Sequence, residues 1–205
     1  MKPYNLYKLT ISVLLFTVLL SGCTGVAEQF KSNYQEATEV YDVPENLGTD
    51  INNTGILLID AIKKVTFNDL FISGVSIVNI DNPEKTKIVG SFKKGGVFSQ
   101  NSGVVVIPNL EPGTYRIVKI KFGNANMWET LYMPKTLEYE TEILTGKPIY
   151  FGRIEVEHPI GTTNRIIKTN HESSREVESW KLVINKFKAS PWVNIINAHI
   201  KELML

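Results

Sequence analysis

"GILLIDA", residues 55–61, is the stretch from which the fold is read. It is an apolar run of strand length, and the character of the chain changes where it starts. "FISGVSIVNI" (71–80) and "TKIVGSF" (86–92) follow it, parted by the Asn-Pro turn cluster "DNPEK". Then come "GVVVIPNL", "TYRIVKIKF", "NMWETLYM", "LEYETEIL", "KPIYFGRIEVEH" and "NRIIKTN". About nine β-rich runs at short spacing, with Gly, Pro and Asn between them, predict an all-β sandwich or barrel over residues 55–170. No helical periodicity alternates with the strands, which disfavours a parallel α/β sheet.

Two runs declare their faces. In "LEYETEIL" the residues Leu137, Tyr139, Thr141 and Ile143 alternate with Glu138, Glu140 and Glu142. Period-two alternation sends the first set to a core and the carboxylates to water. In "TYRIVKIKF" Val118, Ile120 and Phe122 share one face, and Lys119 and Lys121 share the other. Pairing of the acidic run with the basic one would help set the strand register.

"NLEPGTYRIV" contains a turn, with Pro112 suited to its first central position and Gly113 supplying positive φ at the second. This L-x-P-G-x-Y pattern resembles the prealbumin-like and carboxypeptidase-regulatory-like β-sandwiches. "ILTGKPIYFGRIEV" is similar to the Gly-Lys-x-x-Tyr-x-Gly strand of small bacterial lipoproteins that carry such a sandwich. The resemblance covers roughly residues 55–157. It implies a mainly β, antiparallel, prealbumin-like β-sandwich, and brings little functional information with it.

Residues 171–205 read differently. "SSREVESWKLVINKF" opens with Ser173 and Glu176 at capping-box spacing. Val177, Trp180, Ile184 and Phe187 then form a helical stripe. "SPW" restarts the pattern, with Ser190 as N-cap and Pro191 in the first helical position. Trp192, Ile195, Ile196, Ile200 and Leu203 form a second stripe. The two make a C-terminal helical hairpin. Helices of this length are marginal in isolation, so their stripes are expected to dock on an outer face or open edge of the β domain.

At the other end, the short segment Met1–Lys8 carries Lys2 and Lys8 and no acid, and Leu9–Leu20 is an apolar run of about 12 residues, the length of a signal-peptide core. A bilayer span takes about 20. Leu20-Ser21-Gly22-Cys23 closes the run. These four residues resemble the lipobox of bacterial lipoproteins. The resemblance implies cleavage before Cys23 and a lipid on its sulfur, with residues 1–22 as signal peptide. A thiol with that role needs no disulfide partner, and Cys23 is the only cysteine of the chain. Thr24 follows in place of the aspartate that in this family signals inner-membrane retention, which implies the outer membrane in a Gram-negative organism. Residues 23–54 are polar and lean acidic, and are expected to form a lipid-anchored tether spanning on the order of 30 Å.

The chain has 205 residues, 22 Lys+Arg and 21 Asp+Glu. The signal segment removes two lysines and no acid, leaving the rest close to neutral. Such a balance gives no electrostatic footprint for nucleic acid. His158, His171 and His199 show no zinc spacing, and no HExxH, nucleophile elbow or Walker loop is present. "SFKKGGVF", with Lys93, Lys94, Gly95 and Gly96, reads as a hairpin turn. "TDINNTG" and "NIDNPEK" lack calcium-loop spacing and read as turns in which Asp and Asn bond nearby backbone. Glu155, Glu157 and His158 lie together, but read as a solvated edge rather than a ligand cluster. Trp128, Trp180 and Trp192 suggest core packing before a sugar platform. The sequence predicts neither metal, cofactor nor catalytic residue. It predicts a lipid-anchored cell-envelope protein, a non-enzymatic interaction or structural module whose partners are the membrane and another envelope protein. The alternative is a small-ligand or glycan-binding lipoprotein.

Overall fold

The computed structural model describes residues 43–65, 69–90, 104–123, 128–157 and 165–205. The expected signal segment, Cys23, the first part of the tether, the "SFKKGGVF" turn and His158 lie outside these residues.

Each of the nine β-rich runs contains a strand: β1 (Gly55–Lys64), β2 (Leu70–Asn79), β3 (Thr86–Gly90), β4 (Val104–Leu110), β5 (Gly113–Gly123), β6 (Trp128–Tyr132), β7 (Glu140–Ile143), β8 (Pro148–Glu157) and β9 (Ile166–Asn170). Two helices follow, α1 (Ser173–Lys186) and α2 (Trp192–Leu203). The chain is mainly β with two C-terminal helices, as its patterning predicts.

All nine strands belong to one hydrogen-bonded sheet that curls on itself. The curl turns at β1 and β2, which are bonded only near Ile62↔Phe71 and Lys63↔Leu70. Beyond that corner, β1 takes β4 on one edge and β8 on the other, with β9 outside β8. Similarly, β2 takes β3 and β5, and β5 carries β6 and β7. The inner faces enclose an apolar core of Leu57, Ile59, Val105, Ile154, Ile72, Ile77, Ile117, Ile120 and Phe122, among others.

Four details depart from the simple alternating picture. First, the ladder is not wholly antiparallel, because β8 runs parallel to β1. The chain completes the other half of the sheet before β8 returns beside β1, so the crossover that a parallel pair needs is supplied by strands. Second, β5 does not keep one parity. Ser76 pairs with Lys119 and Ile77 with Ile117, leaving Val118 as the extra residue of a bulge. Tyr115 and Ile117 on one side of it, and Ile120 and Phe122 on the other, are therefore all buried.

Third, the expected strand 137–144 is shortened. β6 occupies β5 over Lys119–Gly123, so β7 has only Gly113–Arg116 to pair with. Leu137–Tyr139 forms a 3-10 turn instead, and Leu137 is exposed while Tyr139 and Ile143 are buried. The acidic and basic strands do pair, but Glu140 bonds Arg116, at 2.8 Å from its Nε. Fourth, Gly113 has φ 143°, positive as expected but far from the value near 80° of a type II turn. It starts β5 after a two-residue step from β4, which carries the chain from the β1 half to the β2 half.

The helices cover the outer face of the β4–β1–β8 half. Trp180, Val183, Phe187, Trp192, Ile196 and Ile200 form a second buried cluster with Ile56 and Leu58 of β1, and with Val104 and Val106 of β4. The expected stripes thus dock, with Val183 more central than Ile184. Ser190 Oγ accepts from the Trp192 backbone N–H at 3.3 Å, but α2 begins at Trp192, so Pro191 stands in the cap position expected for Ser190. The capping box of α1 does not form. Glu172 takes the cap position without a side-chain bond, and Glu176 is engaged elsewhere. Leu47 is fully buried in the second cluster. The packed unit therefore starts within the segment expected to be tether.

Candidate functional site

The most unusual residue of the fold is Asp60, a carboxylate with 0% exposure in the middle of β1. Its outer-face neighbours along the strand are Ile56 and Leu58, both under the helices. An ion in such a place needs opposite charge and hydrogen bonds, because desolvation costs several kcal/mol per ion.

The local fold supplies two guanidiniums. The first comes from β8 through a bulge. Leu58 pairs with Tyr150, but Asp60 pairs with Arg153, so β8 spends one residue more than β1 between the two pairs. Gly152 takes up the excess with φ 105°. A Cβ there would lie 2.7 Å from His171 Cε1 and 3.0 Å from the Asn170 carbonyl oxygen. The bulge switches parity: Phe151 faces the inner core before it, and Ile154 and Val156 after it. Arg153 and Glu155 then point to the helix side, with Arg153 Nη1 3.5 Å from Asp60 Oδ2. The second guanidinium comes from the first turns of α1, where Arg175 Nε donates to Asp60 Oδ2 at 2.7 Å and Nη1 to Glu178 Oε2 at 3.1 Å.

Three polar atoms here are buried without a hydrogen-bond partner: Asp60 Oδ1, Tyr150 Oη and Arg153 Nε. Glu155 Oε1 lies 3.3 Å from that Nε, an ion-pair contact without hydrogen-bond alignment. Burial, and next the Asp60 charge, push the Tyr150 hydroxyl far above its usual pKa, so it stays a neutral phenol. A cleft of about 110 Å³ opens beside the triad, lined by Arg153, Glu155, Asn170, Glu172 and Arg175.

A second polar group joins the helices. Glu176 Oε1 accepts the Trp180 indole N–H at 3.2 Å and lies 2.7 Å from His199 Nε2. The Trp180 and His199 rings meet edge to face, with centroids 6.4 Å apart. This ties α1 to α2 next to the Asp60 triad.

Of the residues singled out by sequence, Glu155 faces Arg153, and Glu157 pairs with Lys168 of β9 at 3.5 Å. His171 sits over Gly152 and His199 over Trp180. Glu138, Glu140 and Glu142 do not form an unbroken row, since Glu138 lies in the 3-10 turn. Trp180 and Trp192 are buried core residues. Asn79 Oδ1 accepts the backbone N–H groups of Asp81 and Asn82, so "NIDNPEK" is the expected side-chain-bonded turn. Among the described residues no group of three His, Cys, Asp or Glu side chains is placed to hold a metal, and no helix is long and apolar enough to cross a membrane. Sequence reasoning missed Asp60, Arg153 and Arg175. The available signal was a lone acid inside an otherwise apolar run.

No protein-family model matches the chain, and no curated protein matches it. Among solved structures it is similar to a leucine-rich repeat protein from Bacteroides thetaiotaomicron, at 14% identity and a TM-score of 0.32. The match covers 65% of this chain and 16% of that one, so the chain spans about a sixth of its length. A likeness of this size carries no argument about fold or function.

Proposed function

We propose that the protein is an exported, lipid-anchored envelope module of prealbumin-like sandwich architecture, acting by contact rather than catalysis. The observation that carries this reading is Leu20-Ser21-Gly22-Cys23 at the end of a short apolar run behind two lysines. Acyl chains on one cysteine contribute about 0.8 kcal/mol per buried CH₂, so several would hold the domain at a membrane. Thr24 favours the outer membrane in a cell that has one. The sandwich reading is supported by the two strand groups that face each other across the inner core. Cys23→Ala is expected to abolish lipid labelling and to release the protein from the membrane fraction or leave it unprocessed. Mass spectrometry finding an unmodified Cys23 in membrane-bound mature protein would sink the anchor.

A further inference from the structure

We infer that the cleft beside Asp60 binds a small zwitterion, a molecule with a carboxylate and an ammonium a few bonds apart, such as a free α-amino acid. This is independent of the anchor and holds whether or not Cys23 carries lipid.

The lining explains the choice. Arg153 and Arg175 supply two positive charges, Glu155 and Glu172 two negative ones, and Asn170 is neutral. A simple anion would meet both glutamates, with the Asp60 carboxylate behind the arginines. A simple cation would meet both guanidiniums. A ligand carrying both signs satisfies both sets.

The arginines differ in what they have left to give. Arg175 is committed to Asp60 and Glu178 through 2.7 and 3.1 Å bonds. Arg153 makes one long bond of 3.5 Å to Asp60 and one ion-pair contact without hydrogen-bond alignment, Nε to Glu155 Oε1 at 3.3 Å, although only 18% of its side chain is exposed. A guanidinium this dry and this poorly bonded is a ready site for a carboxylate, which it can take with a charge-assisted N–H···O bond. At the rim, Glu172 accepts from the Asn170 amide at 2.8 Å through Oε1. Its second oxygen and the Asn170 carbonyl oxygen are acceptors suited to an ammonium.

Size agrees. A closed cavity of about 150 Å³ takes a benzene ring. The cleft, at about 110 Å³, takes a group somewhat smaller. The site is also built. The Gly152 bulge turns Arg153 toward the helix side, and the fully buried Asp60 holds both arginines from behind.

The test is calorimetric titration of the full chain in detergent with glycine, L-alanine and D-alanine, and separately with acetate and methylamine. The zwitterions are expected to bind about tenfold tighter than either half-ligand. Arg153→Gln should weaken alanine binding about tenfold. Glu172→Gln, at an exposed position whose side chain makes no cap bond to α1, should bring alanine down to the affinity of acetate. Alanine binding no tighter than acetate and methylamine would overturn the assignment. So would alanine binding unchanged in Glu172→Gln, which decides the matter even if Arg153→Gln fails to fold. Loss of the anchor would leave all these titrations as they are.

Discussion

The two halves of the curled sheet finish their outer faces in opposite ways. Over β4–β1–β8 two helices lie on Ile56, Leu58, Val104 and Val106, and the buried polar groups there form the Asp60 triad. On β2–β5–β6 the outward row includes Arg116, Lys119 and Lys121, all half-buried, and the neighbouring Tyr132 is 63% exposed. The consequence is visible in the strands. β1 is buried at nine consecutive positions and reads as an apolar run interrupted only by Asp60 and Lys63, whereas β5 alternates on either side of its bulge. A strand covered on both faces loses the period-two signal that a strand covered on one face keeps.

Removing the cover is the most severe way to break this contrast. Deletion of residues 173–205 exposes the outer apolar face and is expected to cause aggregation, seen by size-exclusion chromatography. Trp192→Ala alone should cost about 3–5 kcal/mol, measured as a lower melting temperature by calorimetry. A truncated chain that stayed monomeric and melted as before would show that the helices contribute nothing to the fold.

Charge gives the next test. Asp60→Asn leaves two partly buried guanidiniums without their carboxylate and should cost about 2–4 kcal/mol, below a wholly buried pair because both arginines reach water. The pair on the open half, Arg116 with Glu140, is more accessible to solvent. Glu140→Gln should therefore cost less, about 1–2 kcal/mol. Equal effects in urea denaturation would dissolve the distinction between the halves.

Gly152→Ala should cost about 1–3 kcal/mol, because φ 105° disfavours a side chain and the new methyl meets His171 and the Asn170 carbonyl. A neutral result would mean the bulge relaxes freely and does not fix Arg153. The smallest effect concerns pH. Tyr150 keeps its proton in the fold at pH values where the unfolded chain loses it. The unfolded state then binds fewer protons, so stability falls as pH rises above about 10. Tyr139, raised by burial and then by Glu138, acts in the same sense. Tyr150→Phe should reduce the alkaline loss without abolishing it, as followed by thermal melts between neutral pH and pH about 11.

Much of the fold is legible from local pattern. All nine strands overlap runs defined by β-branched and aromatic residues between turn residues, and both helices follow from stripes rich in Trp, Phe and Ile. The failures are also local, and share a cause. Val118 and Gly152 each insert one residue into a ladder, and one inserted residue reverses which side chains face the core beyond it. No composition rule marks such an insertion, since it is set by the partner strand.

By itself, then, the sequence determined which segments become strands and helices, because backbone preference and hydrophobic period act over a few residues. It also determined that the C-terminal stripes must be buried, since their Trp, Ile and Phe surface cannot remain in water. Tertiary structure alone decided what they cover, that β8 lies parallel to β1, and that Asp60 meets Arg153 and Arg175 from 93 and 115 residues away. A charge in an apolar run is tolerated only where distant strands and a helix converge to pair it. That convergence depends on strand order and register, which nearest-neighbour pattern does not encode.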